Sequence, residues 1–376
     1  MIVLDYDQLG QDLPERQPVS TAQPWHSQDQ PPADLLARYR VSRSPQRPLV
    51  LVGGFAANSL YVSERQNERL YKGRQAWPPF HIDPLSGDWA LHPVDEVNLP
   101  ELLPGPYLPA QYEPLLLFLE EELGYRPNEN LFIFPYRWTE STRLSGRRLA
   151  GFLAEVGPAD IIAHSLGGLV ARSAGLFYGA DIQRLALLTC PFFGAGKAFF
   201  DLHPALTVQL VDNLFFNQIL ERFLPGNEVD LTTTFQKMDS VYELLPDQNA
   251  FARGLSPLQT RSSLRSKASL AESWREAYSD IPDQDRLERA MAVKEELGLA
   301  IPGREYLILY SQEHPTVGRV DNTFGIYGLP YSVGGGDGTV PAASAVGPGP
   351  AIPVPGRHLA VPNHRLSFFW LSRFLA

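Results

Sequence analysis

Asp160-Ile161-Ile162-Ala163-His164-Ser165-Leu166-Gly167-Gly168-Leu169-Val170-Ala171-Arg172 is the stretch that decides the fold. A short apolar run ends in a serine, two glycines follow almost at once, and a small-residue helical pattern begins. That is the layout of a nucleophile elbow, a strand-to-helix turn that lifts a serine hydroxyl above the end of a parallel sheet. Small residues at Ala163 and Gly167, on either side of Ser165, let the backbone fold back without side chains colliding. Ala163 stands where the usual G-x-S-x-G pattern has its first glycine. The helix after Ser165 would aim free N–H groups and the positive end of its dipole at the place where an oxyanion forms. The competing reading, a plain Ser-Leu-Gly-Gly turn in an unrelated α/β protein, accounts less well for the flanking strand and helix patterns.

Outward from the elbow, apolar runs recur at intervals. Pro48-Leu49-Val50-Leu51-Val52-Gly53-Gly54 reads as a buried strand running into a glycine turn, and Leu131–Phe134, Arg184–Thr189 and Tyr306–Tyr310 as further strands. Helical spacing marks Glu113–Leu123, stopped by Gly124, then Ser141–Val156 and a terminal helix over Leu366–Leu375. Strands alternating with helices in this way predict an α/β fold, a mostly parallel sheet covered on both faces. Residues 61–112, full of Trp, Pro and Asp, read as an elaborated loop. Leu206, Leu210, Leu214, Ile219, Leu220 and Phe223 form an apolar stripe on one or two amphipathic helices. That stripe packs on the core, lines an acyl pocket from a lid, or does both. The expected organisation is a Pro/Gln-rich arm (1–47), a first core part (48–198), a helical cap or lid insertion (199–300) and a C-terminal core part (301–376).

A serine hydroxyl is a poor nucleophile at neutral pH and needs a base with an orienting acid. In this type of sheet the acid and the base follow the serine in the chain. Asp337, within Gly334-Gly335-Gly336-Asp337-Gly338-Thr339-Val340-Pro341, is the expected acid, although Gly-Asp-Gly is also common turn chemistry. Two histidines compete for the base. His364 is preferred because it directly precedes the last helix; His358 is expected to support the same loop. His164 is expected to turn away from Ser165 and pack against the sheet or a neighbouring loop. Backbone N–H groups of Leu166 and Phe55 are the expected oxyanion donors. No metal or organic cofactor is needed for this chemistry.

Composition narrows the partners. The 376 residues carry a net charge of −10 with no basic block, which disfavours nucleic acid and electrostatic attachment to an anionic membrane. Apolar patches on the cap remain as a route to transient contact with a lipid surface. No apolar run reaches the length of a transmembrane segment. The single cysteine, Cys190, excludes an internal disulfide, and the start of the chain lacks a signal-peptide pattern. Both point to the cytoplasm, with non-classical export left open.

The motifs resemble those of the lecithin:cholesterol acyltransferase-like family, which includes lysosomal phospholipase/transacylase enzymes and bacterial relatives. The resemblance rests on Pro48–Phe55 with Asn58-Ser59-Leu60, on Leu123-Gly124-Tyr125, and on Phe134-Pro135-Tyr136-Arg137-Trp138. It extends through Ile162–Arg172, Val241-Tyr242-Glu243-Leu244-Leu245-Pro246 and Asp337-Gly338-Thr339-Val340-Pro341. Arg137 stands where relatives usually carry Asp, Gly53 replaces a frequent Pro, and the cysteines of secreted members are absent. The resemblance implies an α/β-hydrolase fold with a cap and a Ser165–Asp337–His364 triad. It further implies a lipid-ester hydrolase working through an acyl-enzyme, or a lipid O-acyltransferase using the same intermediate. A non-catalytic binding protein on the same fold is the alternative of a different class.

Overall fold

The computed structural model describes residues 8–19, 21–27, 30–31, 47–66, 69–77, 80–82, 89–91, 102–202, 235–252, 278–320 and 331–376. In chain order the first elements are β1 (Gln23–Pro24), β2 (Leu49–Val52), β3 (Asn58–Gln66), β4 (Arg69–Trp77), β5 (Phe80–Ile82), β6 (Trp89–Leu91) and β7 (Leu102–Tyr107). Then come α1 (Pro109–Glu121), β8 (Leu131–Ile133), α2 (Thr142–Val156), β9 (Ala159–His164), α3 (Leu166–Tyr178), β10 (Ile182–Leu188) and α4 (Lys197–Leu202). The remainder is α5 (Asp239–Glu243), α6 (Gln248–Ala252), α7 (Gln284–Leu297), β11 (Glu305–Tyr310), β12 (His314–Val320), β13 (Tyr331–Gly336), α8 (Ala342–Ala345), β14 (Ile352–Pro353) and α9 (Arg365–Leu375).

The central sheet runs β8-β2-β9-β10-β11, and β1 and β14 share the outer edge of β11. All its pairings are parallel. Its strands are apolar at successive positions because each face is covered. Leu51, Ile162, Ala186 and Leu307 sit in one register row and point to one side; Val52, Ala163, Leu187 and Ile308 form the next row and point to the other. The first row packs with Leu115 and Leu119 of α1 and Phe369 and Leu371 of α9. The second packs with Leu149 and Leu153 of α2 and Leu169, Val170 and Phe177 of α3. The result is three layers, with the α/β-hydrolase arrangement of a parallel sheet between helices.

The described residues within 61–112 depart from the loop expectation. β3 pairs antiparallel with β4 and with β7, and β5 pairs with β6. Strands such as Arg69–Trp77 carry Lys, Arg and Gln, so their pairing leaves little trace in apolar periodicity. Described residues of the arm are held against the core. Arg16 N–H donates to Phe177 O, and β1 adds to β11 through Gln23 and Pro24. The apolar stripe expected over Leu206–Phe223 lies outside the described residues.

Described parts of the expected cap rest on α2 and α3. Arg172, fully buried on α3, donates to the carbonyls of Leu297, Gly298 and Ala300 at the end of α7, at 2.6 to 3.2 Å. A guanidinium suits this position, where unpaired carbonyls and the negative end of the helix dipole coincide. Burial pulls its pKa down to about 10, which still leaves it charged at neutral pH. Glu243, buried on α5, caps the start of α2: it accepts from Ser141 Oγ at 2.6 Å and Thr142 N–H at 2.8 Å. Burial outweighs these bonds and raises the Glu243 pKa from 4.5 to about 7.

A raised carboxyl pKa means the folded state holds its proton more tightly than the unfolded chain does. Its stability contribution is full below pH 4.5 and lost as pH rises through about 7. Glu243→Gln removes this loss. The stability of wild type relative to Glu243→Gln should therefore fall by on the order of 3 kcal/mol across that window. Urea unfolding of both proteins at a series of pH values measures it; a pH-independent difference contradicts it.

Candidate active site

Ser165 closes β9 and opens α3 with φ 54° and ψ −126°. A non-glycine residue in this region costs roughly 1–3 kcal/mol and persists only where the surroundings impose it. Here Ser165 N–H donates to Leu188 O at 2.9 Å on the neighbouring strand, and Gly168 N–H returns to Ser165 O at 2.9 Å. The turn also needs room. A Cβ on Gly167 would fall on the carbonyl oxygens of Val52 and Gly53, and one on Gly54 would lie 2.9 Å from the Ser165 Cβ.

Above the sheet, His358 Nε2 lies 2.8 Å from Ser165 Oγ and His358 Nδ1 lies 2.7 Å from Asp337 Oδ2. An ionised carboxylate can only accept, so Nδ1 carries the proton and Nε2 faces the serine hydroxyl as acceptor. Asp337 is buried and held firmly. Its Oδ1 accepts from the N–H groups of Thr339 at 2.8 Å and Val340 at 2.7 Å, and its carbonyl accepts from His358 N–H at 2.9 Å. The hairpin β12–β13 delivers it: Gly338 N–H donates to Thr316 Oγ1 at 2.8 Å.

The structure brings Ser165 and Asp337 together and places His358, not the expected His364, between them. His364 instead caps α9: its Nδ1 accepts Leu366 N–H at 3.1 Å. The physical reason is positional. A residue directly ahead of a helix has its side chain drawn back to the helix's own free N–H groups. His358 instead lies in the loop 356–359, away from that helix end, where its ring is free to reach both Ser165 and Asp337. The apolar run after His364 was the signal for a cap.

The loop after β2 is braced from three sides. Gly54 N–H donates to Tyr112 Oη at 2.9 Å, Tyr136 Oη donates to Gly53 O at 2.9 Å, and Gln111 Nε2 to Ala56 O at 3.3 Å. Ala56 adopts φ 58°, a second non-glycine residue on the left-handed side. Phe55 follows Gly54, its ring centroid 4.6 Å from that of Trp138 and 6.3 Å from that of Phe235. Leu166 is the first residue of α3, where a backbone N–H has no intrahelical acceptor. Tyr112 and Tyr136 were not singled out from the sequence; only the Pro-Tyr-Arg-Trp segment hinted at the second. Cys190 is buried, and burial raises its pKa to about 12, which keeps it a thiol.

Among the described residues, no group of three or more His, Cys, Asp or Glu is gathered to hold a metal, and no helix is long and apolar enough to cross a membrane. A groove of about 850 Å³ lined by Arg16, Gly179, Ile182 and Arg304 opens at the opposite ends of β10 and β11 and shares no residue with this site.

No protein-family model matches the chain, and no curated protein matches it in sequence. Solved structures do. A chain in the crystal structure of the Tle4–Tli4 complex aligns with TM-score 0.56 and 13% identity, over 89% of this chain and 98% of that one. At this identity the likeness is one of fold, and it agrees with the sheet and helix layers described above. Bacillus licheniformis lipase BlEst2 in mature form (TM-score 0.38, 15% identity, 90% of this chain and 94% of that one) superposes too loosely to bear on the argument. The same holds for EstA from Clostridium botulinum (0.35, 15%, 99% and 97%).

The crowding at the elbow gives a direct test. Gly167→Ala should destabilise the protein by about 1–3 kcal/mol, because backbone carbonyls cannot move aside as side-chain ends do. Urea unfolding reads this out, and a variant as stable as wild type would show the elbow to be looser than drawn.

Proposed function

We propose that the protein is a serine carboxylic-ester hydrolase acting on lipid esters. The observation that carries this reading is the Asp337–His358–Ser165 chain, with contacts of 2.7 and 2.8 Å across a buried acid and a strained serine. His358 Nε2 takes the Ser165 proton while Oγ bonds to the acyl carbon, and Asp337 steadies the imidazolium. The N–H groups of Leu166 and Phe55 receive the oxyanion. His358 returns the proton to the alcohol as its C–O bond breaks. Water, deprotonated by His358, then attacks the acyl carbon; the bond from that carbon to Oγ breaks, His358 returns the proton to Ser165 Oγ, and the carboxylic acid leaves. The ring group of Phe55, Trp138 and Phe235 beside the oxyanion loop supports an apolar acyl chain. So does the motif resemblance to the lecithin:cholesterol acyltransferase-like family.

The test is a substrate panel of short and long acyl esters and a phospholipid, with products identified by mass spectrometry. Ser165→Ala and His358→Gln should each lower kcat about 1,000-fold or more. His364→Gln should stay within about threefold of wild type, since a helix cap takes no part in proton transfer. A fluorophosphonate probe should label Ser165 in wild type and fail on Ser165→Ala. Full activity in Ser165→Ala would remove the proposal; strong loss in His364→Gln with none in His358→Gln would reassign the base.

A further inference from the structure

We propose that Tyr112 and His164 form a positioning relay that ties the oxyanion loop to the histidine base, so that both are set by one chain of hydrogen bonds. The inference rests on the ester-hydrolase reading of Ser165 and His358 and names residues that reading does not use. Gly54 N–H donates to Tyr112 Oη at 2.9 Å, Tyr112 Oη lies 2.8 Å from His164 Nδ1, and His164 Nε2 lies 3.1 Å from the carbonyl oxygen of His358. Both ends have fixed polarity, because a backbone N–H can only donate and a carbonyl can only accept. His164 therefore donates from Nε2. A neutral imidazole then accepts at Nδ1, and the tyrosine hydroxyl supplies that proton. One arrangement satisfies every group.

The surroundings hold His164 in that neutral form. It is 1% exposed and its ring centroid lies 4.7 Å from that of His358. Burial, and then the proximity of His358, keep its pKa well below the ordinary histidine range. A second connection runs beside the first. Asn363 Nδ2 donates to Gln111 O at 2.7 Å and Leu359 O at 3.0 Å, while its Oδ1 accepts from Leu115 N–H at 3.2 Å. This amide seats next to Pro114, where the helix lacks a backbone donor. The first turns of α1 thus grip the loop before Phe55 and the loop bearing His358 together. Tyr112 and His164, each 1% exposed, avoid the cost of burying polar groups by bonding to one another and, at the two ends of the chain, to backbone groups of the reaction machinery.

The test separates positioning from mere packing. Tyr112→Phe and His164→Leu should each lower kcat about 10- to 100-fold with KM within about twofold, the pattern of a lost transition-state interaction. Tyr112→Phe/His164→Leu should be no worse than the poorer single variant, because both break one chain. His164→Gln should recover activity to within about fivefold of wild type, since its amide offers an acceptor to Tyr112 and a donor to His358 O. Losses that multiply in the double variant, or a Gln variant as poor as Leu, would overturn the relay. Nitrogen-15 histidine NMR of the wild-type protein reads the same claim without activity or substitution. His164 should show a neutral Nε2–H tautomer that does not titrate between about pH 6 and 9. A titrating or Nδ1–H His164 would also overturn it. Absence of fluorophosphonate labelling in wild type would instead count against the ester-hydrolase reading, leaving the NMR result to judge the relay alone.

Discussion

The left-handed backbone at Ser165 is the constraint on which the rest of the structure depends. Nothing about serine favours φ 54°; the position is imposed by Leu188 O receiving its N–H and by glycines where side chains would collide. Once the chain is bent there, the hydroxyl is presented above the C-terminal ends of the strands and α3 begins directly beneath it. The same bend fixes where everything else must arrive. The loop after β2 passes so close that Gly54 could not carry a side chain, and the His358 loop has to reach across from the far end of the sequence.

That reach is achieved by backbone as much as by side chains. Asp337 and His358 are joined by main-chain as well as side-chain bonds, so the two residues behave as one unit mounted at the edge of the sheet. Asp337 is not delivered straight from the central sheet. After β11 the chain first makes the β12–β13 hairpin, and Thr316 of that hairpin steadies Gly338. A long excursion is compatible with a tight site because its return is pinned by hydrogen bonds rather than by length.

Elements with a strong apolar signature were legible in the sequence. β2, β9, β10 and β11 are runs such as Leu49–Val52 that only a doubly covered parallel strand explains, and the elbow motif announced both its turn and its serine. β3 and β4 were not, because their residues are paired through backbone bonds without an apolar stripe. β1 was equally hidden, a two-residue addition at Gln23–Pro24. At the site, Ser165 and Asp337 were picked out by local glycine chemistry. His358 rather than His364 lies between Ser165 and Asp337, because a histidine directly ahead of the last helix is drawn into capping it. Tyr112 and His164 could not be linked from sequence at all: their contact crosses from α1 to the end of β9, and no local pattern encodes it.

Arg172 lies about two helical turns beyond Ser165 on the same helix. Its guanidinium occupies the end of α7, so raising that end would strand several carbonyls and a buried cation at once. The tail of α7 is thus bolted to the helix that begins at Ser165. Any displacement of that end would pull on the helix directly beneath Ser165, so the two helices keep one relative position or lose it together.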